Sequence, residues 1–159
     1  MKRTVLVVMI LLVAATAVWA ADEERSLNQS VIANPLRGAW RLTQTPGEGG
    51  PPPFEMLMVF TRDGGVVETD AGPPDPLNFS PGIGEWARME DGRFVARYTQ
   101  LQFDSAQNHT GMFDAKIVVT IDAAKNTMSG TVHVRFFDTN DGTVFFEADG
   151  TVAGYRLPL

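Results

Sequence analysis

The side chains best suited to chemistry are few. The chain has two histidines and no cysteine. His109 follows Asp104 within the polar stretch Asp104-Ser105-Ala106-Gln107-Asn108-His109, with Tyr98 and Gln102 on the run before it. A histidine oriented by a carboxylate at a cavity mouth can act as a general base. No nucleophile or second histidine accompanies it, so a solvated loop histidine is the simpler reading. Glu85 and Tyr98 are the other acid–base candidates. His133 and Arg135 share one face of an alternating run, which points to surface charge pairing. Two separated histidines without cysteine make no zinc set. Asp138, Asn140 and Asp141 lack the spacing of a calcium loop and suit a hairpin turn. A phosphate-binding glycine loop, a serine elbow and a nucleotide fingerprint are all missing. The sequence therefore implies no metal, no cofactor and no assigned catalytic residue.

The elements that must position these residues are strands. From Gly38 onward the apolar period is two, and the runs are separated by Gly, Pro, Asn and Asp clusters. Eight runs result: 38–45, 54–60, 66–70, 83–89, 94–103, 111–121, 127–137 and 143–156. Mostly short connections between neighbours predict an all-β, eight-stranded antiparallel up-and-down barrel. In the last three runs the inward rows are Phe113 to Ile121, Met128 to Phe136 and Val144 to Val152, taking every second residue. Turns at Ala123–Asn126 and Asn140–Gly142 place Ile121 opposite Met128 and Phe136 opposite Phe146. Two outer rows follow, Asp114–Arg135–Glu147 and Lys116–His133–Asp149. Such cross-strand pairs contribute only about 0.2–1 kcal/mol each but fix register.

Residues before the barrel read differently. Lys2 and Arg3, the apolar run Thr4–Val18, the small residues around Val18 and Ala20, and the acids from Asp22 have the order of a secretory signal peptide, residues 1–20. Its apolar run is shorter than a spanning helix needs, so no stable membrane anchor is expected after cleavage. Residues 21–37 read as a flexible leader and 38–159 as the barrel domain. Cleavage removes two of the 13 basic residues and none of the 19 acids, taking the formal charge from −6 to −8. That balance disfavours nucleic acid and anionic membranes as partners. The expected destination is periplasmic or extracellular. A cysteine-free chain there relies on its apolar core.

Loop lengths predict one plain and one elaborated end. The turns Asp63-Gly64, Asp91-Gly92 and Lys125-Asn126 are tight. The opposite end carries Pro51-Pro52-Pro53 and Pro73-Pro74-Asp75-Pro76, and function in barrels gathers at such mouths. Inward small residues leave volume, and an eight-stranded barrel can be filled by side chains or hold one small ligand. The sequence leaves both possibilities open. The candidate cavity and mouth residues are Met56, Met58, Tyr98, Gln100, Ala115, Val134, Ala148 and Phe146. Tyr98 and Gln100 are the polar ones, provided that the Phe94, Ala96, Tyr98 face of their strand points inward.

Gly38-Ala39-Trp40 opening the first strand and Arg156 closing the last resemble the lipocalin and calycin pattern, in small exported bacterial barrels of that type. The resemblance implies a barrel over residues 38–156, with Trp40 and Arg156 plugging the plain end. Gly84-Glu85-Trp86 is a second Gly-x-Trp. The chain departs from lipocalins in having no C-terminal helix pattern and no disulfide. The leading functional expectation is a barrel binding a small apolar ligand. A cyclase- or isomerase-type enzyme using Tyr98, His109 or Glu85 is a second reading. A cell-envelope interaction module, with an apolar patch around Phe54, Leu77 and Phe79, is a third.

Overall fold

Alternating apolar residues need one covered face, and closing the sheet on itself covers it while removing free edges. The computed structural model, which describes residues 34–70, 78–139 and 141–158, shows that solution. The expected signal peptide, most of the leader, the 73–76 proline cluster, Leu77 and Asn140 lie outside the described residues. The strands are β1 (Gly38–Pro46), β2 (Phe54–Phe60), β3 (Gly65–Asp70), β4 (Asn78–Phe79), β5 (Gly82–Arg88), β6 (Phe94–Phe103), β7 (His109–Asp122), β8 (Thr127–Asp138) and β9 (Val144–Arg156). No helix occurs among the described residues.

Every pairing is antiparallel. The order runs β1-β2-β3-β5-β6-β7-β8-β9, and β9 returns to β1 through Trp40↔Arg156 to Pro46↔Gly150. This is a closed eight-stranded up-and-down barrel. The two-residue β4 pairs with the mouth end of β6 beside β5, through Asn78↔Phe103 and Phe79↔Gln102. The eight expected runs correspond to the eight long strands, with end shifts of a residue or two.

The expected registers of the last three strands are present. Ile121 opposes Met128, Asp114 opposes Arg135, Lys116 opposes His133, and Phe136 opposes Phe146. The outer charges act on one another as that register requires. Arg135 Nη2 lies 3.4 Å from Asp114 Oδ2, and His133 Nδ1 lies 2.9 Å from Asp149 Oδ1.

One expected inward residue is displaced. Val144 was placed in the inner row, but a bulge lets Phe136 pair with Phe146 and Phe137 with Val144. The extra residue, Phe145, shifts Val144 to the opposite parity, and both are exposed. Bulges of this kind re-aim side chains at barrel rims.

The plain end is packed and tied. Its turns place Gly64, Gly92 and Asn126 at positive φ, the conformation their residue types favour. Trp40 is fully buried and donates from Nε1 to the Leu36 carbonyl at 2.7 Å. The Arg156 guanidinium carbon lies 4.4 Å from the Trp40 ring centroid, and its Nη1 donates to the Arg37 carbonyl. Trp86 donates from Nε1 to the Thr61 carbonyl at 3.1 Å and packs on Phe94. Leu36, just before the first strand, is fully buried.

Candidate functional site: a two-sided cavity at the mouth

The interior is filled at one end and open at the other. Trp40, Leu42, Met58, Phe60, Phe94 and Ile117 occupy the plain end. Toward the mouth, a cavity of about 110 Å³ remains. Its position follows from residue size: Val132, Ala148 and Gly150 on β8 and β9 leave space that the rings of Phe79, Phe113 and Phe136 only partly close. These rings form a connected cluster, with centroids 4.9 Å apart for Phe113–Phe136 and 5.8 Å for Phe79–Phe113. Phe146 edges onto Phe136 at 5.5 Å and stays 45% exposed at the rim. Pro46, Gly50 and Pro51, at and beyond the end of β1, border the opening.

The opposite side is built from residues with polar ends, although almost none of the cavity surface is polar. Gln44 on β1, Asp70 on β3 and Gln100 on β6 border the same cavity. Gln44 and Gln100 are buried. Gln100 donates from Nε2 to the Ser80 carbonyl at 3.1 Å. Its Oε1 is buried and has no hydrogen-bond partner among the described residues. Gln44 Oε1 and Gln102 Oε1 are in the same condition.

Below Asp70, the next inward position of β3 is Glu68. It has no exposed surface, and neither carboxyl oxygen has a partner among the described residues. Burial, reinforced by the charge of Asp70, pushes its pKa up to about 8. The group is therefore mostly protonated at neutral pH. Space for it comes from Gly82, its cross-strand partner. A Cβ there would stand 2.6 Å from a Tyr98 ring carbon and 2.9 Å from Glu68 Oε2. Tyr98 is buried against the same spot, and burial raises its hydroxyl well above the ordinary value, with the Glu68 and Asp70 charges adding to the effect.

The predicted site residues divide into two groups. Gln100, Val134, Ala148 and Phe146 border the cavity. Met56, Met58, Tyr98 and Ala115 point inward but pack beneath it, as buried core rather than cavity wall. The reason is the barrel's taper of side-chain size: large residues meet across the plain end, and the small ones of β8 and β9 meet near the mouth. The Phe94, Ala96, Tyr98, Gln100, Gln102 face of β6 is inward, which meets the condition that the sequence left open.

The acid–base candidates do not converge. Glu85 is exposed on the outer face of β5. His109 pairs with Phe103 across a second bulge, and its exposed ring packs on the Phe103 ring at 5.8 Å. Asp104 does not orient it: its Oδ1 accepts from the Ala106 and Asn108 amides and its Oδ2 from the Asn108 side chain. Among the described residues, no group of three or more His, Cys, Asp or Glu side chains is arranged to hold a metal.

Sequence reasoning missed Glu68, Asp70 and Gln44. The signal for Glu68 was available. Phe60 and Met58 are inward on β2, and the tight turn sets Val66 opposite Phe60, so Glu68 must fall opposite Met58, inside. Comparison with family models, with curated proteins and with solved structures gives no match.

Proposed function

We propose that this protein is an exported barrel that binds a small apolar group in the cavity at its elaborated end. The observation that carries the reading is the cavity itself: about 110 Å³, walled on one side by Phe79, Phe113, Phe136 and Phe146 and open at a rim of proline and aromatic residues. A dry apolar cavity of roughly 150 Å³ in another protein holds benzene. Drug-sized ligands use roughly 300–1,000 Å³. The fitting occupant is therefore one ring or a short branched alkyl group, alone or as the tip of a larger molecule whose remainder rests on the rim. The signal-like residues 1–20 and the Trp40–Arg156 stack, which resembles that of lipocalin-like barrels, support an exported binding protein.

An enzyme on this barrel needs an acid or base on the cavity wall. Glu85 and His109 face away from it and Tyr98 lies beneath it; of the two carboxylates that border it, Asp149 is engaged with His133 on the outer face and Asp70 has no histidine or lysine beside it on the cavity border, which favours binding over catalysis. The exposed Val144, Phe145 and Phe146 favour a second reading, an envelope partner seated on the rim.

Native mass spectrometry on protein purified from its own host tests the proposal. The expected result is a reproducible extra mass that is lost on denaturation. A clean protein mass, together with no thermal shift across a panel of small apolar compounds, would overturn it.

A further inference from the structure

The outer wall carries a feature that the cavity does not explain. The registers of β5 to β9 put five charges in one row across the barrel surface: Glu85, Arg97, Lys116, His133 and Asp149. Acids stand at the ends, and three basic residues stand abreast between them. Arg97 and Lys116 are direct cross-strand partners. Their Cβ atoms are therefore roughly 5 Å apart, and like charges so placed destabilise a sheet.

The chain has acids in excess, 19 against 13 basic residues. Arg41, Arg93, Lys125 and Arg135 each have a carboxylate partner. Arg97 and Lys116 have no ion-pair or hydrogen-bond partner among the described residues. Two nearby acids are already engaged. Asp114 accepts from Thr99 Oγ1 at 2.6 Å and from Arg135 Nη2 at 3.4 Å, and Asp149 Oδ1 lies 2.9 Å from His133 Nδ1.

The two free cations line an open groove of about 710 Å³ on the outer face. Small-molecule sites commonly measure roughly 300–1,000 Å³. Ile83 and Glu85 border the groove on one side, and Arg135 and Glu147 on the other.

We infer that this groove binds a phosphate monoester, its terminal oxygens held between the Arg97 guanidinium and the Lys116 ammonium. A phosphate monoester carries about −1.5 to −2 charges at neutral pH and three acceptor oxygens. It can therefore face both cations at once. The arginine fork matches two of its oxygens, and the lysine supplies a point charge. A carboxylate brings a single charge and satisfies the pair less well. Bound there, the anion replaces the repulsion between Arg97 and Lys116 with two attractions. Glu85 and Glu147, at the two borders, repel a second anionic group but accept from hydroxyls. The remainder that suits them is neutral and hydroxylated, as in a sugar or glycerol ester.

The test is a titration of the isotope-labelled protein with glycerol phosphate and with acetate, at matched ionic strength, followed through the backbone amide signals of β6 and β7. Saturable shifts around Arg97 and Lys116 are expected. Glycerol phosphate should bind about tenfold more tightly than acetate, the factor that one charge-assisted hydrogen bond supplies. Arg97→Gln and, separately, Lys116→Gln should each weaken phosphate binding by roughly the same factor. Both side chains are exposed, so the fold is retained. Lys125→Gln, on a tight turn, and Ala148→Leu, in the cavity wall, should leave phosphate binding unchanged. Vesicles separate the two sources of such a group. Cosedimentation with phosphatidylcholine vesicles containing phosphatidic acid, lost in Lys116→Gln, would assign the ester to a lipid. Binding of glycerol phosphate without cosedimentation would assign it to a soluble molecule. Shifts that rise linearly with either salt, acetate bound as tightly as phosphate, or full binding in both groove variants would overturn the inference. So would the lack of any shift up to about 10 mM, which fills most of a site of millimolar affinity.

Discussion

Glu68→Gln should make the protein more stable at alkaline pH, and the size of the gain follows from the burial of Glu68. The carboxyl is fully enclosed beside Asp70, with its pKa raised from 4.5 to about 8. The folded state therefore holds a proton that the unfolded chain gives up above pH 4.5. The stability associated with that proton is fully present below pH 4.5 and declines as pH rises, until the folded group ionises near pH 8. At about 1.4 kcal/mol per unit, the loss reaches about 3 kcal/mol at pH 7 and about 5 kcal/mol above pH 8. Glutamine has nearly the same shape and no proton to lose. Urea unfolding followed by the fluorescence of Trp40 and Trp86 should show the two proteins alike near pH 5. The variant should pull ahead progressively to pH 8 and keep a constant lead beyond it. Contributions common to both proteins cancel in the difference. The exposed carboxylates whose pKa is lowered, such as Asp91 and Asp104, act with the opposite sign and below this window. Parallel curves from pH 5 to 9 would refute a neutral, buried Glu68.

Other outcomes follow from the same geometry. Arg156→Ala removes the cover of Trp40 and the bond to the Arg37 carbonyl, and should cost about 2–4 kcal/mol in urea unfolding. Phe113→Ala breaks the ring cluster in a mostly closed interior and should cost about 3–5 kcal/mol. Ala148→Leu projects into the cavity and should abolish binding of any probe that the parent protein takes up, with a stability change under about 1.5 kcal/mol because the added carbons enter existing space. His109→Ala and Glu85→Gln alter exposed side chains on the outer surface and should leave thermal stability and probe binding within error of the parent, read by differential scanning fluorimetry and titration.

How much of this was legible in the sequence depends on the range of the information. The last three strands could be registered from residues close in the chain. Tight turns fixed the offset, and Asp114, Arg135 and Glu147 matched across it, so both the meander and the outward place of His133 emerged. The two rim bulges were not legible. Nothing in Asp138–Val144 or Phe103–His109 marks where an extra residue enters, yet each insertion turns a side chain to the other face. Val144 moved for that reason, and His109, expected in the mouth loop, is drawn into the ladder opposite Phe103. The polar wall was hidden differently. Gln44, Asp70 and Gln100 stand on strands that are not all neighbours, and only closure and tilt bring them to one level. A period-two reading assigns each to a face but not to a depth.

Depth also argues that the polar wall has a use. A barrel selected only for stability would place Leu or Met opposite Met58, because an unpaired buried acceptor costs about 1–3 kcal/mol. This chain instead buries Glu68, clears Gly82 to make room for it, and sets Gln100 and Gln102 on the adjoining strand. It does so with no disulfide to compensate. Local rules of this kind are broken most often where function requires it. The plain end mostly obeys them: Trp40 finds an acceptor, Arg156 finds an aromatic face and the Arg37 carbonyl, and the turns carry the residues that their φ values demand. The violations gather in the half of the interior that borders the cavity, on the strands facing the phenylalanine wall. Stability alone does not account for that placement.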